Sequence, residues 1–364
     1  MRLRLVAAAR TVDIEEGRIV PTAGAPGLVL ELGEAEIRPG LLNAHDHLHR
    51  NHLPRLGSPP YPNVYAWGDD LHARFAPELA RCDALPRGRA LLFGALKNLL
   101  GGVTVAVHHD PWEEVFGGDF PLRVPPLRAL HTLRLDGEAA RRAAGTAMPL
   151  ALHLAEGTDA ASAEEVREAE RIGLLGRNLL AVHLVGADAD GIGRFVRTGA
   201  AAVWCPTSNL FLYGKTAPAP LLTSVTDVLL GSDALVSGEG TLLHELAAAR
   251  ATGLLPDDRL EAAVAGTSAS RLGLPPASLS PGSPADLVVL NGPLLSARPR
   301  DVLLVLVAGR PALADEALGD AFRAYGLRAE PLSVGGALKL VAAPLGAVAR
   351  EVFDLTPSCR RIVE

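Results

Sequence analysis

Apolar runs that end in polar residues recur along the middle of the chain. They alternate with amphipathic segments of helical period, among them ASAEEVREAERIGLL, HELAAARATGLL and DDRLEAAVAGTSASRLGL. The strand candidates are IRPGLLNAHDH, VTVAVHH, MPLALHLAE, NLLAVHLVG, AAVWCPTSN and TDVLLGSD. Strands that alternate with helices are typical of βα units around a parallel sheet. The pattern therefore predicts an α/β fold, for which we expect a (β/α)8 TIM-like barrel.

Residues 110–147 interrupt this regular alternation. They must supply the third and fourth strands, for which FPLRV and ALHTLRL are the candidates, and they leave little room for full helices. We therefore expect a barrel that is trimmed around strands 3 and 4.

Both ends of the chain carry short strand patterns separated by turns. LRLVAAARTVD, GRIV and LVLEL lie near the start, and ADLVVL and VLLVLVAGR lie within residues 281–309. Because the two ends can pair with each other, we expect a small β-sandwich domain composed of residues 1–38 plus 281–364. Residues 39–280 would then form the barrel domain.

The composition excludes several classes of protein. Of the 364 residues, 48% are hydrophobic and 21% are charged, as in a globular rather than a disordered chain. The formal net charge of −6 argues against a nucleic-acid surface. No apolar run approaches the length of about 20 residues that a membrane helix needs, and the apolar stretch after the basic start is too short for a signal peptide. We expect a cytoplasmic protein that binds neither nucleic acid nor membrane.

Histidines collect where the predicted strands end. Seven of the eleven lie there, and side chains at the carboxyl ends of barrel strands form active sites. Residues i and i+2 of a strand point to the same side, so His45 and His47 can reach one metal ion, and neutral imidazole suits zinc. A bare HxH pair is a weak signal, and by itself it is more simply interpreted as two structural, hydrogen-bonded histidines.

Further residues that can carry chemistry follow in order at later strand ends. His153 would supply a third ligand, and Glu156, just past the same strand, would carry protons in the same cavity. His183 ends the next strand, and Asp233 ends LLGSD. Taken singly, a strand histidine is compatible with a core position and Gly-Ser-Asp with a turn. Their joint occurrence in order predicts one metal-centred site.

The ordered set NAHDH, HLAE, VH, CPTSN and GSD resembles the amidohydrolase superfamily. The closest likeness is to its single-metal branch, which includes cytosine, guanine and adenosine deaminases, imidazolonepropionase-like enzymes and triazine hydrolases. AGTSASRLGL, followed by LSPGSPADLVVL, is similar to that family's return from the last barrel helix into the β domain.

The resemblance implies a role for each of these residues. His45, His47, His153 and Asp233 bind the metal, and Asp233 also accepts a proton from the metal-bound water. Glu156 passes protons to the substrate, and His183 contacts the water or polarises the substrate.

The resemblance also bears on the number of metals. Two-metal relatives commonly bridge their metals with a carboxylated lysine on the fourth strand. Lys97 is the only lysine between residues 48 and 152, and it lies on the helix before the second barrel strand. We therefore expect one divalent metal ion per chain, zinc in the first place and iron in the second.

Other residues are candidates for substrate contacts. They are His108, His109, His131, Tyr61, Asn63, Trp67 and Asn209. His108 and His109 end the second barrel strand, where one should face the cavity, and a structural hydrogen bond is the competing interpretation. PYPNVYAWGDD is interpreted as a loop that forms a substrate lid or packs against the barrel. Cys205 is expected to be structural.

These features predict a hydrolase of class EC 3.5, in which a metal-bound hydroxide attacks a non-peptide carbon–nitrogen bond of a small heterocyclic substrate. Deamination of a heterocyclic amine and opening of a cyclic amide both fit the motifs. One alternative is a barrel without catalysis that acts as a binding or scaffold protein; another is hydrolysis of a carbon–halogen or ester bond at the same site. Beyond a small-molecule substrate, the sequence leaves a homodimer open.

Overall fold

The structure is a computed structural model. It describes the backbone of residues 1–364 and every side chain except those of residues 266–268. Part of the AGTSASRLGL motif therefore lies outside the described side chains.

The strands are short, and those in the middle of the chain are largely buried, as their apolar runs predict. In chain order they are β1 (Arg2–Ala7), β2 (Arg10–Glu15), β3 (Arg18–Val20), β4 (Leu28–Glu31), β5 (Glu36–Pro39), β6 (Leu41–Asp46), β7 (Val103–His108), β8 (Arg128–Leu130), β9 (Leu150–Leu154), β10 (Leu179–His183), β11 (Ala201–Trp204), β12 (Val228–Leu230), β13 (Leu287–Leu290), β14 (Val302–Val307), β15 (Arg310–Asp315), β16 (Ala329–Val334) and β17 (Ala337–Ala342).

The helices begin and end at local signals. Asp159 and Asp188 accept backbone N–H groups at the starts of two of them, and glycines in the left-handed region end others. The helices are α1 (Val64–Arg74), α2 (Ala76–Cys82), α3 (Arg87–Leu100), α4 (Leu133–Ala143), α5 (Ala160–Arg171), α6 (Ala189–Thr198), α7 (Pro206–Tyr213), α8 (Ala219–Ser224), α9 (Leu242–Thr252), α10 (Asp257–Val264), α11 (Asp320–Ala324) and α12 (Leu345–Leu355).

The central strands run parallel, as the alternation of strands and helices predicts. They form a five-stranded sheet in the order β12-β11-β10-β9-β8 and a two-stranded sheet of β6 and β7. Asp233 N donates to His45 O at 3.1 Å, which links the end of β12 to β6. Over the described residues the two sheets do not join into one closed ladder. The α/β class is confirmed, and all the parallel strands still direct their carboxyl ends to one edge.

The sector of residues 110–147 is irregular, as expected, but its predicted strands are mostly wrong. Within FPLRV, only a single bridge between Arg123 and Val105 forms. In ALHTLRL, β8 ends at Leu130, because Thr132 caps α4: its side chain accepts from Leu135 N at 3.1 Å. The Asp136 carboxylate accepts from His131 N at 2.6 Å and turns the chain away from the sheet. Local capping therefore ends the strand early.

The two chain ends meet in antiparallel pairing. β5 pairs with β13 in a six-stranded sheet of order β16-β17-β15-β14-β13-β5, and β1 to β4 form a separate four-stranded sheet. One apolar cluster holds residues of both sheets, including Leu3, Ile14 and Leu304. Helix α12, at the far end of the chain, packs instead on α3, where the Phe93 and Phe353 rings lie 5.9 Å apart.

Among the described residues, no helix combines the length and the apolar character needed to cross a membrane.

Candidate metal centre and active site

His45 and His47 lie on the same side at the carboxyl end of β6, as their spacing predicts. Their ring centroids are 5.0 Å apart, and both side chains are buried. The neighbouring β12 end approaches them closely through Gly231, where an added Cβ would lie 2.5 Å from His45 Cβ. The glycine in LLGSD therefore allows Asp233 to reach the two imidazoles.

Two further side chains complete a compact group of nitrogen and oxygen donors. His153 Nε2, from β9, lies 3.4 Å from His45 Nε2. Asp233 Oδ1 lies 3.5 Å from His45 Nε2 and 3.9 Å from His47 Nε2. The structure thus brings His45, His47, His153 and Asp233 together, as the sequence pattern predicts for metal ligands.

This donor group fits a divalent metal ion. Burial lowers the pKa of His45, His47 and His153, which favours the neutral ring that offers a lone pair to a metal. Ligands about 2.0–2.1 Å from zinc at a tetrahedral angle lie about 3.4 Å apart, close to the spacing of the His45 and His153 nitrogens. Three imidazoles and one carboxylate are also a donor set that zinc prefers.

Asp233 is held in a strained conformation by its neighbours. Its φ is 51°, which is uncommon for a residue with a side chain. Ser237 Oγ donates to Oδ2 at 2.9 Å, and Ala234 N donates to Oδ1 at 2.8 Å. Burial alone would raise the pKa of Asp233, but hydrogen bonding to His45 and the nearby imidazoles outweigh burial and hold the pKa well below its usual range. Asp233 is therefore an anionic donor.

A buried polar network lies beneath the imidazoles. Asp46 points away from its neighbours in HDH, and Lys97 Nζ lies 3.1 Å from its Oδ2. Lys97 also donates to the Asp233 carbonyl oxygen at 2.6 Å. Asn98 and Asn51 donate to the Asp46 carboxylate at 2.6 Å and 2.8 Å. The network joins β6, α3 and the segment after β12. It therefore fixes the position of the β6 end, which carries His45 and His47, relative to Asp233.

Glu156 lies beside His183 and His153 in the same group of side chains. Its Oε1 lies 3.6 Å from His183 Nε2, and its Oε2 lies 4.0 Å from His153 Nδ1. Tyr213, on α7, donates to Oε1 at 2.8 Å. Burial raises the pKa of Glu156, because the charged carboxylate loses its hydration. A carboxyl group with a raised pKa is suited to carrying a proton.

His183 is oriented by Asn209. Its Nδ1 lies 2.8 Å from Asn209 Oδ1, so the amide oxygen accepts the Nδ1 proton and leaves Nε2 as an acceptor. The φ of His183 is 75°, a second positive value at a residue predicted for the site. Asn209 was predicted as a candidate substrate contact, and the structure gives it this positioning contact. Nearby, burial raises the pKa of the Cys205 thiol well above its usual value, which agrees with a structural cysteine.

The remaining histidine candidates differ in where their side chains lie. The His109 ring stacks on His153 with centroids 4.0 Å apart, and its Nε2 donates to Leu130 O at 2.8 Å. His108 faces the other way and accepts from Leu48 N at 3.3 Å. His131 lies next to the group, 6.2 Å from the His153 ring, and its side chain is 40% exposed. His109 and His131 remain candidates for substrate contact, whereas His108 packs away from the proposed metal ligands.

The aromatic segment PYPNVYAWGDD is not simply a loop, because α1 begins at Val64 within it. Tyr61 bonds to Asp70 and accepts from Ser58 N at 2.5 Å, and Trp67 donates to Leu56 O at 3.0 Å. Asn63 caps α1 by accepting from Ala66 N at 2.9 Å. These partners favour packing over substrate contact for all three candidates.

This segment also acts on the site through its backbone. Val64 N donates to Glu156 O at 3.1 Å, and Thr158 N donates to Pro62 O at 2.7 Å. The segment therefore holds the chain that carries the Glu156 side chain.

Three functional candidates were missed from the sequence: Tyr213, Lys97 as a contact, and Asp110. Tyr213 lies four residues after Asn209, one helical turn further along α7, and that spacing was an available signal. Lys97 is one of the few lysines and sits on an apolar helix, where a buried charge needs a partner. Asp110 directly follows His108 and His109 but lies on an irregular segment. The sequence therefore gives no indication of where its side chain points.

Two proteins that resemble this chain in sequence are both named as deaminases. A 5-methylthioadenosine/S-adenosylhomocysteine deaminase of Symbiobacterium thermophilum is 27% identical over 398 aligned positions, covering 82% of this chain and 87% of the relative. An aminodeoxyfutalosine deaminase of Deinococcus radiodurans is 36% identical over 81 residues, 22% of this chain and 19% of the relative. No protein-family model matches the chain.

Solved structures with the same fold include deaminases and triazine hydrolases. An adenosine deaminase from Xanthomonas campestris with bound zinc has a TM-score of 0.73 at 19% identity, covering 99% of this chain and 98% of that one. An atrazine chlorohydrolase from Arthrobacter aurescens complexed with zinc has a TM-score of 0.68 at 17% identity, covering 97% and 99%. The relatives by sequence are deaminases and the neighbours by fold include deaminases and triazine hydrolases, so the predicted resemblance of this chain to the amidohydrolase superfamily is confirmed.

Proposed function

We propose that this chain is a metal-dependent hydrolase that removes an amino group from a small heterocyclic amine. The observation that carries the proposal is the presence of two buried carboxylates within the imidazole group, each beside a different histidine. Asp233 Oδ1 lies 3.5 Å from His45 Nε2, whereas Glu156 Oε1 lies 3.6 Å from His183 Nε2. Hydrolysis of a carbon–nitrogen bond takes a proton from water and delivers one to the leaving nitrogen. Two carboxylates in different environments can divide that work.

His45, His47, His153 and Asp233 are the residues that would hold one divalent cation, zinc by preference. Such a cation would lower the pKa of a coordinated water to about 7 and so would supply hydroxide at neutral pH. Asp233 is an anion beside that position and would accept the proton that the water loses. Its hydrogen bonds from Ser237 and Ala234 N keep the carboxylate in place for this step.

Glu156 delivers the proton to the leaving nitrogen. Tyr213 fixes its Oε1, and among the described residues Oε2 has no hydrogen-bond partner, so that oxygen is available to the substrate. His183, held by Asn209, presents Nε2 as an acceptor toward the same space. It orients the water or the amino group that leaves.

Deamination is favoured over ring opening by the sequence relatives. Both the Symbiobacterium and the Deinococcus relative are named as deaminases, and the first covers most of this chain. Its name includes two adenine nucleosides, 5-methylthioadenosine and S-adenosylhomocysteine. An adenine nucleoside is therefore the first substrate class to test.

The test is ammonia release by purified protein that carries about one zinc ion per chain. The panel contains adenine nucleosides, guanine and other heterocyclic amines, with cyclic amides and a chlorinated triazine as competing substrates. We expect ammonia from at least one amine. Ring opening or chloride release without ammonia would overturn deamination in favour of the other hydrolytic reactions, and activity in metal-free protein would overturn the metal-dependent mechanism.

Glu156→Gln tests the proposed proton carrier. It should keep zinc and fold but lose about 10²–10⁴-fold in kcat, the range for a lost general acid–base. Glu164→Gln is the matched control, because Glu164 is exposed and pairs with Arg167 on the surface of α5. Full activity of Glu156→Gln would contradict the assignment.

Several architectural predictions are retained as proposals. If the Arg123 bridge is counted as the third strand, the chain has eight central parallel strands. This number supports a barrel that is trimmed at strands 3 and 4. The antiparallel pairing of β5 with β13 supports a composite domain of residues 1–38 and 281–364 beside a barrel domain of residues 39–280. A cytoplasmic location and a homodimer stay predictions.

A further inference from the structure

One carboxylate outside the proposed ligand set faces several imidazoles. Asp110 follows β7, and its Oδ2 lies 3.3 Å from His47 Nδ1 and 3.5 Å from His49 Nδ1. Its Oδ1 lies 3.9 Å from His131 Nε2. The Asp110 side chain is only 12% exposed. The ionised carboxylate accepts hydrogen bonds and donates none, and its two oxygens have room for several donors.

We propose that Asp110 is a positioning residue that orients the His47 ring and fixes its proton on Nδ1. With the proton on Nδ1, the lone pair of the neutral ring lies on Nε2, the nitrogen that is 3.9 Å from Asp233 Oδ1. The inference rests on the proposed function, because it assumes that His47 Nε2 binds the metal. A carboxylate behind a metal-binding imidazole fixes its tautomer and raises its basicity.

The other proposed histidine ligands lack such support. Among the described residues, His45 Nδ1 is buried without a hydrogen-bond partner. His153 Nδ1 has the Glu156 carboxylate only at 4.0 Å. His47 is therefore the ligand whose ring direction depends most on a carboxylate behind it.

The neighbouring histidines are consistent with Asp110 as an acceptor rather than as a ligand of a second cation. Donor atoms of His49, His108 and Asp110 lie within 4.8 Å of one another. However, Leu48 N donates to His108 Nδ1 at 3.3 Å, so the neutral His108 ring carries its proton on Nε2. Arg50 Nε donates to His49 Nε2 at 3.3 Å, which likewise leaves the His49 proton on Nδ1, toward Asp110. His49 therefore presents a proton to Asp110, and the lone pair on His108 Nδ1 is already taken by the Leu48 amide.

The backbone holds Asp110 where this contact requires it. His109 N donates to Asp46 O at 2.8 Å, so the end of β7 is tied to the residue between the two histidines of HDH. Asp110 and His47 thus belong to adjacent, hydrogen-bonded strand ends. Their contact follows from the register of β6 and β7.

The test measures zinc affinity by competition with a chelator and needs no substrate. Asp110→Asn should weaken zinc binding about 10–100-fold, and Asp110→Glu, which keeps the carboxylate, should lose less. Glu113→Gln is the matched control on the same segment, because Glu113 pairs with Arg87 at 2.8 Å on the surface; its zinc affinity should equal that of the wild type. Nitrogen-15 NMR of the metal-free protein should show the His47 ring with its proton on Nδ1 in the wild type and a mixture of tautomers in Asp110→Asn.

The outcomes separate the two proposals. If the wild type binds zinc and Asp110→Asn binds it equally well, only the positioning role is overturned. If Glu113→Gln loses as much affinity as Asp110→Asn, the effect belongs to the segment and the role is again overturned. If the wild type binds no zinc, the proposed function itself fails. If Asp110→Asn does not fold, Asp110→Glu is the variant to test. Its zinc affinity should then lie between that of the wild type and one tenth of that value. A loss of zinc affinity as large as in His47→Ala would overturn the role.

Discussion

Lys97 offers a quantitative test of the network beneath the site. It is fully buried, with Nζ 3.1 Å from Asp46 Oδ2 and 2.6 Å from the Asp233 carbonyl oxygen. Lys97→Met keeps most of the aliphatic side chain and removes the ammonium group. Asp46 would then be a buried carboxylate without a counter-charge, and the Asp233 carbonyl would lose a partner. We expect both lower stability and weaker zinc binding, because Asp233 is one of the proposed ligands.

The magnitude follows from the burial of both partners. Removing one member of a buried ion pair costs about 3–5 kcal/mol, and an unsatisfied buried carbonyl costs about 1–3 kcal/mol. The two terms share one side chain and do not add fully. Asn98 and Asn51 still donate to Asp46 and favour the lower part of the first range. The expected loss is therefore about 3–5 kcal/mol out of a total of about 5–15 kcal/mol for a folded protein.

Lys339→Met is the matched control. Lys339 is also fully buried, and its Nζ also lies 3.1 Å from a carboxylate oxygen, that of Asp315. The Asp315 side chain is 27% exposed, however, so water can solvate it when the lysine is removed. We expect a loss of about 1 kcal/mol and unchanged zinc affinity.

The assay is urea unfolding of chelator-treated protein, followed by zinc competition. Asp46→Asn should show coupling to Lys97→Met: the double variant should lose less stability than the two single variants together. A Lys97→Met variant that is no less stable than Lys339→Met, and that keeps wild-type zinc affinity, would refute the reasoning.

Three further predictions concern other parts of the site. Burial raises the pKa of Glu245 to about 8. Its carboxyl therefore keeps a proton in the folded state that the unfolded chain loses near pH 4.5, and this difference costs stability increasingly as the pH rises toward 8. In urea unfolding, Glu245→Gln should stabilise the protein by a few kcal/mol (order of magnitude) at pH 8 and by little at pH 4.5, and an equal effect at both pH values would contradict this pKa. Tyr213→Phe removes the hydrogen bond to Glu156 and should lower kcat about tenfold, equivalent to about 1.4 kcal/mol, with zinc affinity unchanged in the chelator assay; an unchanged kcat would show that Glu156 needs no such partner. Zinc at about 1,000 times its dissociation constant should stabilise the folded state by about 4 kcal/mol, seen as a higher Tm than in chelator, and an identical Tm would argue against a metal site.

The sequence alone determined the repeating strand–helix pattern and the order of the residues at the strand ends. Apolar periodicity is local, so the cores of β6, β7, β9, β10, β11 and β12 could be predicted. The i, i+2 spacing of His45 and His47 is local too, and it placed both on one side. His153, His183 and Asp233 could be predicted to meet them only because the carboxyl ends of parallel strands share one edge.

The sequence failed where a local signal was overridden or absent. Thr132 and Asp136 end β8 early by capping α4, so the predicted fourth strand is cut short. The aromatic residues of PYPNVYAWGDD were candidate substrate contacts, but Tyr61 and Trp67 are satisfied by partners that only the folded chain provides. Asparagine and aromatic residues suit both roles, and composition does not distinguish them.

Tertiary structure alone decided how the predicted metal ligands are supported. Tyr213 reaches Glu156 across 57 positions of the chain, Asp110 reaches His47 across 63, and Lys97 reaches the Asp233 carbonyl across 136. Such contacts leave no periodicity in the sequence, because they depend on the register between strands and on side-chain direction. The sequence therefore determined which residues could bind a metal, and the packing of β6, β7, β9 and the end of β12 decided which atoms face it and what holds them there.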